Sequence, residues 1–397
     1  MENYSHEGNG LEKLQKQLRN AYERHKAEYA QLNPIWREAI EFLRYVLYLP
    51  PHELPRLRMH CGLFTGEIPW QYWHIADTMN PDELADRTGY RTMIQDLPKS
   101  YRISEPLNPY IPRPMGLTFE GSVINFDVAR FQSVVTNLYL TGELKRLEQK
   151  AEQERLCIVE IGSGYGAAAL HLSRLLHRKA TFVLVDMPEI LMFAGAYIHT
   201  HLKNATIKLA VNEKDLKAYI AQDCDVVMVP SFCKSALHGL PGVDLAINLL
   251  SFQEMNMDEV TAYCDLLAPK LTGIFYSDNI DSHTLNKDSK IPLSKIFERY
   301  GTVYPSPSLY KRLAEDHHWS WFYNIHLWGA EAAVNRLQKT LIGMAGDGKA
   351  GKPFFVKADK IYLASESGKV AAKAATTAIP EPPSETPPAI GDLKAAG

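Results

Sequence analysis

Cysteine is scarce: five residues in 397 (Cys61, Cys157, Cys224, Cys233 and Cys264), odd in number and without a Cys-x-x-Cys spacing. Such scatter supports neither a disulfide framework nor a zinc site, and small core residues are the expected use. Positive charge is not in excess either. A formal charge of -3 denies the chain the general basic footprint of a protein built for nucleic acid. No apolar run approaches the ~18 residues of a membrane span, and the polar opening from Met1 to Gly10 holds no apolar signal core. A cytoplasmic location is the expectation. From about Ser365 large apolar residues almost vanish among Ala, Pro, Thr, Ser and Lys, which predicts a disordered tail. The rest is ordinary globular composition, 46% hydrophobic and 22% charged, with length for one large domain and an accessory region.

Within it, Cys157-Ile158-Val159-Glu160-Ile161 runs into Gly162-Ser163-Gly164-Tyr165-Gly166, and a helical pattern follows at once. Strand, glycine turn and helix in that order make a ligand loop. Glycines permit the sharp turn and a close approach, and the amides of the new helix favour a polar or anionic edge. Gly162-x-Gly164-x-x-Ala167 also meets the dinucleotide fingerprint, so the glycines alone do not choose the ligand. Glu160 does. A carboxylate near the end of a strand buried on both faces is costly unless a cation meets it, and a pyrophosphate would be repelled there. A second apolar run, 181–185, ends in Asp186 and Met187, with Asp186 20 positions beyond Gly166. That is close to the ~20-residue spacing at which an acid takes ribose hydroxyls. Asp186 suits either cofactor class, or serves simply as the N-cap of a helix opening at Pro188.

The two motifs together resemble the S-adenosylmethionine (SAM)-dependent methyltransferases, whose first motif is an acidic residue followed by Gly-x-Gly-x-Gly. The resemblance implies SAM as cofactor, held by Glu160, Gly162, Ser163, Gly164, Tyr165, Gly166, Asp186 and Met187. It also implies the Rossmann-like fold of that class, a mostly parallel seven-stranded sheet whose last strand is antiparallel, with helices on both faces. Apolar runs at 158–161, 182–185, 226–229, 245–249 and 273–277, with helical patterns between most of them, predict such a sheet independently. The aromatic stretch from Trp319 to Trp328 is the candidate for the late strand.

Ligands of open α/β sheets lie beyond the carboxyl ends of the strands. Ser231 and Phe232 follow the third run, Asn248 and Glu254 end or follow the fourth, and Asp278, Asn279 and His283 follow the fifth. The segment from Val243 to Met255, with Phe275-Tyr276-Ser277-Asp278-Asn279, looks like a family of sugar O-methyltransferases, in which Ser-Phe-x-Glu-Met follows the fourth strand. Asp278 and Ile280 depart from that family's usual Glu and basic residue around the Asn. The resemblance implies a small sugar or glycoside acceptor.

Three regions are expected: a helical and loop-rich N-terminal region at 1–115, a catalytic domain at 116–364 and the tail at 365–397. Leu11, Leu14, Leu18, Tyr22, His25, Tyr29 and Leu32 recur at helical spacing, a stripe that packs on its own domain or joins a homodimer as a short coiled coil. Residues 51–114, rich in Pro and aromatics and carrying His60 and His74, form either a pocket cover or a packing layer. Asp127 is the expected N-cap of a helix from Val128, with Arg130 anchoring the donor's carboxylate or pairing on the surface; 145–155 reads as a solvated connector. The loop from Gly346 to Pro353 fails as a phosphate site because Pro353 replaces the Ser or Thr that would hold magnesium.

Methyl transfer to an alcohol needs alignment and removal of a proton. Glu254 and His283 are the candidate bases, Glu254 alternatively being a helix-opening acid; Asn279 and Asp278 are candidates for orienting an acceptor hydroxyl. No metal is called for. Competing functions are an NAD(P)-dependent oxidoreductase on the same loop and a SAM-binding interaction protein without turnover.

Overall fold

A computed structural model of the chain describes residues 4–32, 34–62, 73–74, 77–279, 293–300, 302–305 and 324–329. Contacts divide the chain into Met1–Leu341 and Ile342–Gly397. His283, the loop from Gly346 to Pro353 and the tail at 365–397 lie outside the described residues.

The helices are α1 (Tyr4–His25), α2 (Pro34–Leu43), α3 (Pro81–Arg87), α4 (Tyr90–Ile94), α5 (Phe126–Leu140), α6 (Glu143–Ala151), α7 (Ala167–Leu175), α8 (Pro188–His201), α9 (Glu213–Ala221), α10 (Met257–Leu267) and α11 (Leu293–Phe297). A hairpin of β1 (Leu117–Phe119) and β2 (Ser122–Ile124) precedes the main sheet. That sheet holds β3 (Leu156–Ile161), β4 (Ala180–Asp186), β5 (Ile207–Leu209), β6 (Val226–Pro230), β7 (Val243–Leu249), β8 (Leu271–Asn279), β9 (Thr302–Pro305) and β10 (Asn324–Gly329).

Strand order is β5-β6-β4-β3-β7-β8-β10-β9, parallel from β5 through β8, with β10 antiparallel to both of its neighbours. This is the mostly parallel, Rossmann-like sheet expected, with β10 falling inside the aromatic stretch at 319–328. The count differs by one: among the described residues the short edge strand β5 makes eight. Every residue of β3 and β6 is buried, as is all of β4 except Asp186, because helices cover both faces. All five cysteines are buried and unbridged, four of them (Cys157, Cys224, Cys233 and Cys264) in this core.

The chain leaves β3 for β4 on one side, while β7 comes to lie on the other. The order therefore reverses at β3, and the carboxyl end of a strand at such a reversal is where doubly wound sheets hold their ligands. The glycine loop stands there.

Helix α8 is buried continuously from Pro188 to Ile198, too apolar for one partner, and is covered by β4 and β6 below and α1 above. Gly195 makes the second contact close: a Cβ there would stand 2.4 Å from Leu14 Cδ2. Leu11, Leu14, Leu18 and Tyr22 are thus consumed inside their own compact unit. Among the described side chains, the stripe on α1 therefore packs on its own domain, the first of the two uses expected for it.

Two local expectations are corrected. Asn125, not Asp127, caps α5, its side chain accepting from the Val128 amide at 2.8 Å. Asp127 instead joins a buried ion cluster in which Arg58 meets Glu105 at 3.0 Å and Asp127 at 2.9 Å. The supposed connector is α6, whose Leu144, Leu147 and Ala151 are buried at helical spacing beneath the charges.

Candidate functional site

The loop after β3 is held by its glycines for two different reasons. Gly162 has φ +69, and a Cβ there would stand 2.1 Å from Ser251 Oγ, so only glycine lets the turn after β7 close over it. Gly166, at φ +78, caps α7, and a Cβ would press on Ala194 and Ile198 of α8 at 3.1 and 3.0 Å. The Gly162 amide donates to Val185 O at 2.8 Å, tying the loop to β4.

Glu160 is buried at 2% exposure, its Oε2 without a hydrogen-bond partner. The Ala169 amide of α7 donates to the carboxylate, but burial and the charge of Asp186 outweigh that bond and push the carboxyl well above its ordinary range. Ser163 is also buried, with Oγ unpartnered. Asp186 is partly buried and braced, accepting from the Gly164 amide at 3.0 Å and the Met187 amide at 2.8 Å. Burial pushes it up to about 7 against those bonds. Met187, also buried, is the N-cap residue of α8.

Beyond β7, Asn248 is a fastener. Its Nδ2 donates to Ile161 O at 2.8 Å and to Ser251 Oγ, while its Oδ1 accepts from Asn279 Nδ2 at 2.8 Å. Asn279 is buried with its other amide hydrogen on Ser277 Oγ at 2.8 Å and its Oδ1 taken by the Gln253 amide at 3.3 Å. Both of its amide hydrogens are thus engaged within the protein, where they tie the ends of β7 and β8 together, and its Oδ1 carries one long bond.

Two further expected ligand residues have ring partners within the protein. Tyr165 turns its side chain into the protein, 4.4 Å beneath the Arg58 guanidinium and edge-on to Tyr197 at 4.9 Å. Phe232 has its ring between His25 at 5.4 Å and Tyr29 at 5.1 Å. Ser231 opens the 3-10 segment after β6 and is partly buried.

Glu254 lies partly buried, and Trp36 of α2 donates its indole N–H to Oε2 at 2.6 Å. Burial pushes Glu254 up to about 7; the Trp36 bond lowers it and the Asp186 charge raises it. Tyr29 similarly donates to Glu189 Oε2 at 2.7 Å, leaving Glu189 Oε1 unpartnered in a fully buried carboxyl pushed up to about 7. Sequence reasoning missed Trp36, Tyr29 and Glu189. Their contacts span 218 and 160 residues, which no local spacing encodes. Among the described residues no His, Cys, Asp or Glu group has metal-holding geometry.

The chemistry available is therefore a set of acids at a switch point, with unpartnered buried oxygens on Glu160 and Ser163 beside a glycine loop and the raised carboxyl of Glu254 after β7. No family model matches the chain, and no curated protein matches it. Among solved structures it is similar to a precorrin-6y C5,15-methyltransferase from Geobacter metallireducens (15% identity, covering 47% of this chain and 87% of that one, TM-score 0.27). It is similar also to an O-methyltransferase family protein from Burkholderia thailandensis (12%, 64% and 73%, TM-score 0.29). A third is a magnesium protoporphyrin IX methyltransferase from Synechocystis with bound SAM (13%, 62% and 97%, TM-score 0.29). At these scores the likeness carries no weight, and the fold assignment stands on the strand order.

Proposed function

We propose that the chain is a SAM-dependent methyltransferase acting on a hydroxyl, and that the acceptor is a sugar or glycoside, the class suggested by the Ser251-Phe252-Gln253-Glu254-Met255 segment. One observation carries the cofactor reading: Glu160 and Ser163 keep unpartnered buried oxygens at the switch-point loop, and no described cation forms an ion pair with Glu160 or Asp186. Buried acids in that state await a positive ligand. A pyrophosphate would add repulsion, which weighs against the dinucleotide alternative.

When bound, SAM supplies an electrophilic methyl group on a sulfonium. Glu160 meets positive charge at the loop. Asp186, fixed by the Gly164 and Met187 amides, keeps lone pairs for ribose hydroxyls. Glu254, near half-ionised at neutral pH, is placed beyond β7 to accept the acceptor's proton, a contribution of ~10²–10⁴-fold where such bases act. Trp36 holds that carboxylate in one orientation.

Calorimetry with SAM, NAD⁺ and NADP⁺ tests the cofactor. SAM alone is expected to bind, and Glu160→Gln to weaken it by ~10-fold or more, the loss of about one charge-assisted contact. Binding of NAD(P) without SAM overturns the reading. Transfer of label from methyl-labelled SAM to a panel of glycosides and simple alcohols then tests the acceptor; label arriving only on nitrogen or protein overturns that part.

A further inference from the structure

We infer that Arg58 is a positioning residue for the cofactor loop: reaching in from the N-terminal region, it grips the ring of Tyr165 and holds the loop in one conformation before the methyl donor arrives. This rests on the methyl-donor reading above. Tyr165 stands between Gly164 at φ +52 and Gly166 at φ +78. Two flanking residues without a Cβ leave the backbone little preference of its own, so an ordered loop needs an anchor. Asp186 depends on that order as well, because the Gly164 amide donates to its Oδ2 at 3.0 Å. The anchor is the Tyr165 ring, buried at 3% exposure, with the guanidinium carbon of Arg58 4.4 Å from its centroid. T-shaped contacts to Tyr197 at 4.9 Å and Phe131 at 5.9 Å complete its seat.

Arg58 is itself fixed. Its Nε and Nη2 donate to Glu105 at 3.0 and 3.2 Å, and Nη2 donates to Asp127 at 2.9 Å. Such bonds lie in the guanidinium plane and leave its face for a ring. Glu105 Oε2 also accepts from Asn125 Nδ2 at 3.2 Å, and Asn125 is the residue that caps α5. The side chains of Arg58, Glu105 and Asp127 are each exposed by 3% or less. A buried ion cluster adds little stability over apolar residues of the same volume, because desolvation offsets its attraction. What this one offers is a cation locked over one ring of a glycine loop, in surroundings dry enough to make a cation–π contact strong. A loop ordered in advance meets its ligand without the entropic cost of ordering.

Calorimetry of the full-length protein with SAM, well below the melting temperature, tests this. Tyr165→Leu is expected to weaken SAM by ~10-fold or more, the worth of about one desolvated cation–π contact. Tyr165→Phe, which keeps an aromatic face for the guanidinium, is expected to recover most of that loss. In label transfer, Tyr165→Leu should raise the KM for SAM by the same factor while kcat falls less than about three-fold, a split that general loss of packing would not give. Should Tyr165→Leu not fold, fluorinated phenylalanines in place of Tyr165 decide: they keep the shape and drain the ring face of negative charge, so SAM affinity should fall with each added fluorine. Unchanged SAM affinity in Tyr165→Leu, an equal loss in Tyr165→Phe, or indifference to fluorination would overturn the clamp and spare the cofactor reading. Failure of the unaltered protein to bind SAM would overturn both.

Discussion

At Glu254 burial and a single indole N–H pull in opposite directions, and the balance sets when the carboxyl can take a proton. Replacing Trp36 by Phe removes the donor that favours the ionised form. The acid limb of the rate profile is then expected to move to higher pH, with SAM affinity unchanged, while Glu254→Gln lowers kcat by ~10²–10⁴-fold across the profile. Label-transfer rates measured from pH 5 to 9 check both, and an unmoved limb in Trp36→Phe would remove Trp36 from that role. Glu160 was legible in the sequence because a carboxylate inside an apolar strand is a local anomaly. Tyr165 was legible as a loop position and illegible in direction: what draws its ring inward is Arg58, more than a hundred residues earlier. The partners of Asn279 were illegible for a similar reason. A post-strand Asn reads as a hydrogen-bonding tool, and only the three-dimensional partners reveal that its amide hydrogens go to Asn248 and Ser277.

Between elements, the closest approach is that of α1 to α8 at Gly195. A methyl group there would stand 2.4 Å from Leu14 Cδ2, so Gly195→Ala is expected to cost about 1–3 kcal/mol by overpacking. Adding Leu14→Ala should recover part of that cost, a non-additivity that denaturant unfolding of the two single variants and the double variant would measure. The stripe on α1 was plain in the sequence, but its partner was not named there. One clue was present: apart from Glu189, the run from Pro188 to Ile198 is apolar or aromatic all round and so requires two covers. Helix α6 was hidden by the opposite effect. Its Lys, Arg and Glu residues dominate the composition while Leu144 and Leu147 do the packing. Strand β5 was missed because three partly buried residues leave almost no alternation to read.

Across the whole molecule, two sets of buried groups tie stability to pH with opposite signs. Asp186 and Glu189 sit at about 7 when folded, above their unfolded values, so their contribution is full in acid and lost as pH rises through about 7. His171 and His201 are pushed by burial down to about 3, so their contribution is full above the ordinary histidine range and lost as pH falls from there toward 3. Thermal melts of the ligand-free protein should therefore show Glu189→Gln raising Tm at pH 8 and not at pH 4. His201→Leu should do the reverse; equal shifts at both pH values would deny the linkage.

The contacts made by Tyr29 and Trp36 bear on how the polypeptide is made. The ribosome delivers these residues early, yet Glu189 and Glu254 emerge 160 and 218 residues later. Until then the leucines of α1 have no native surface to rest on, and a nascent chain in that condition is a natural client for chaperones.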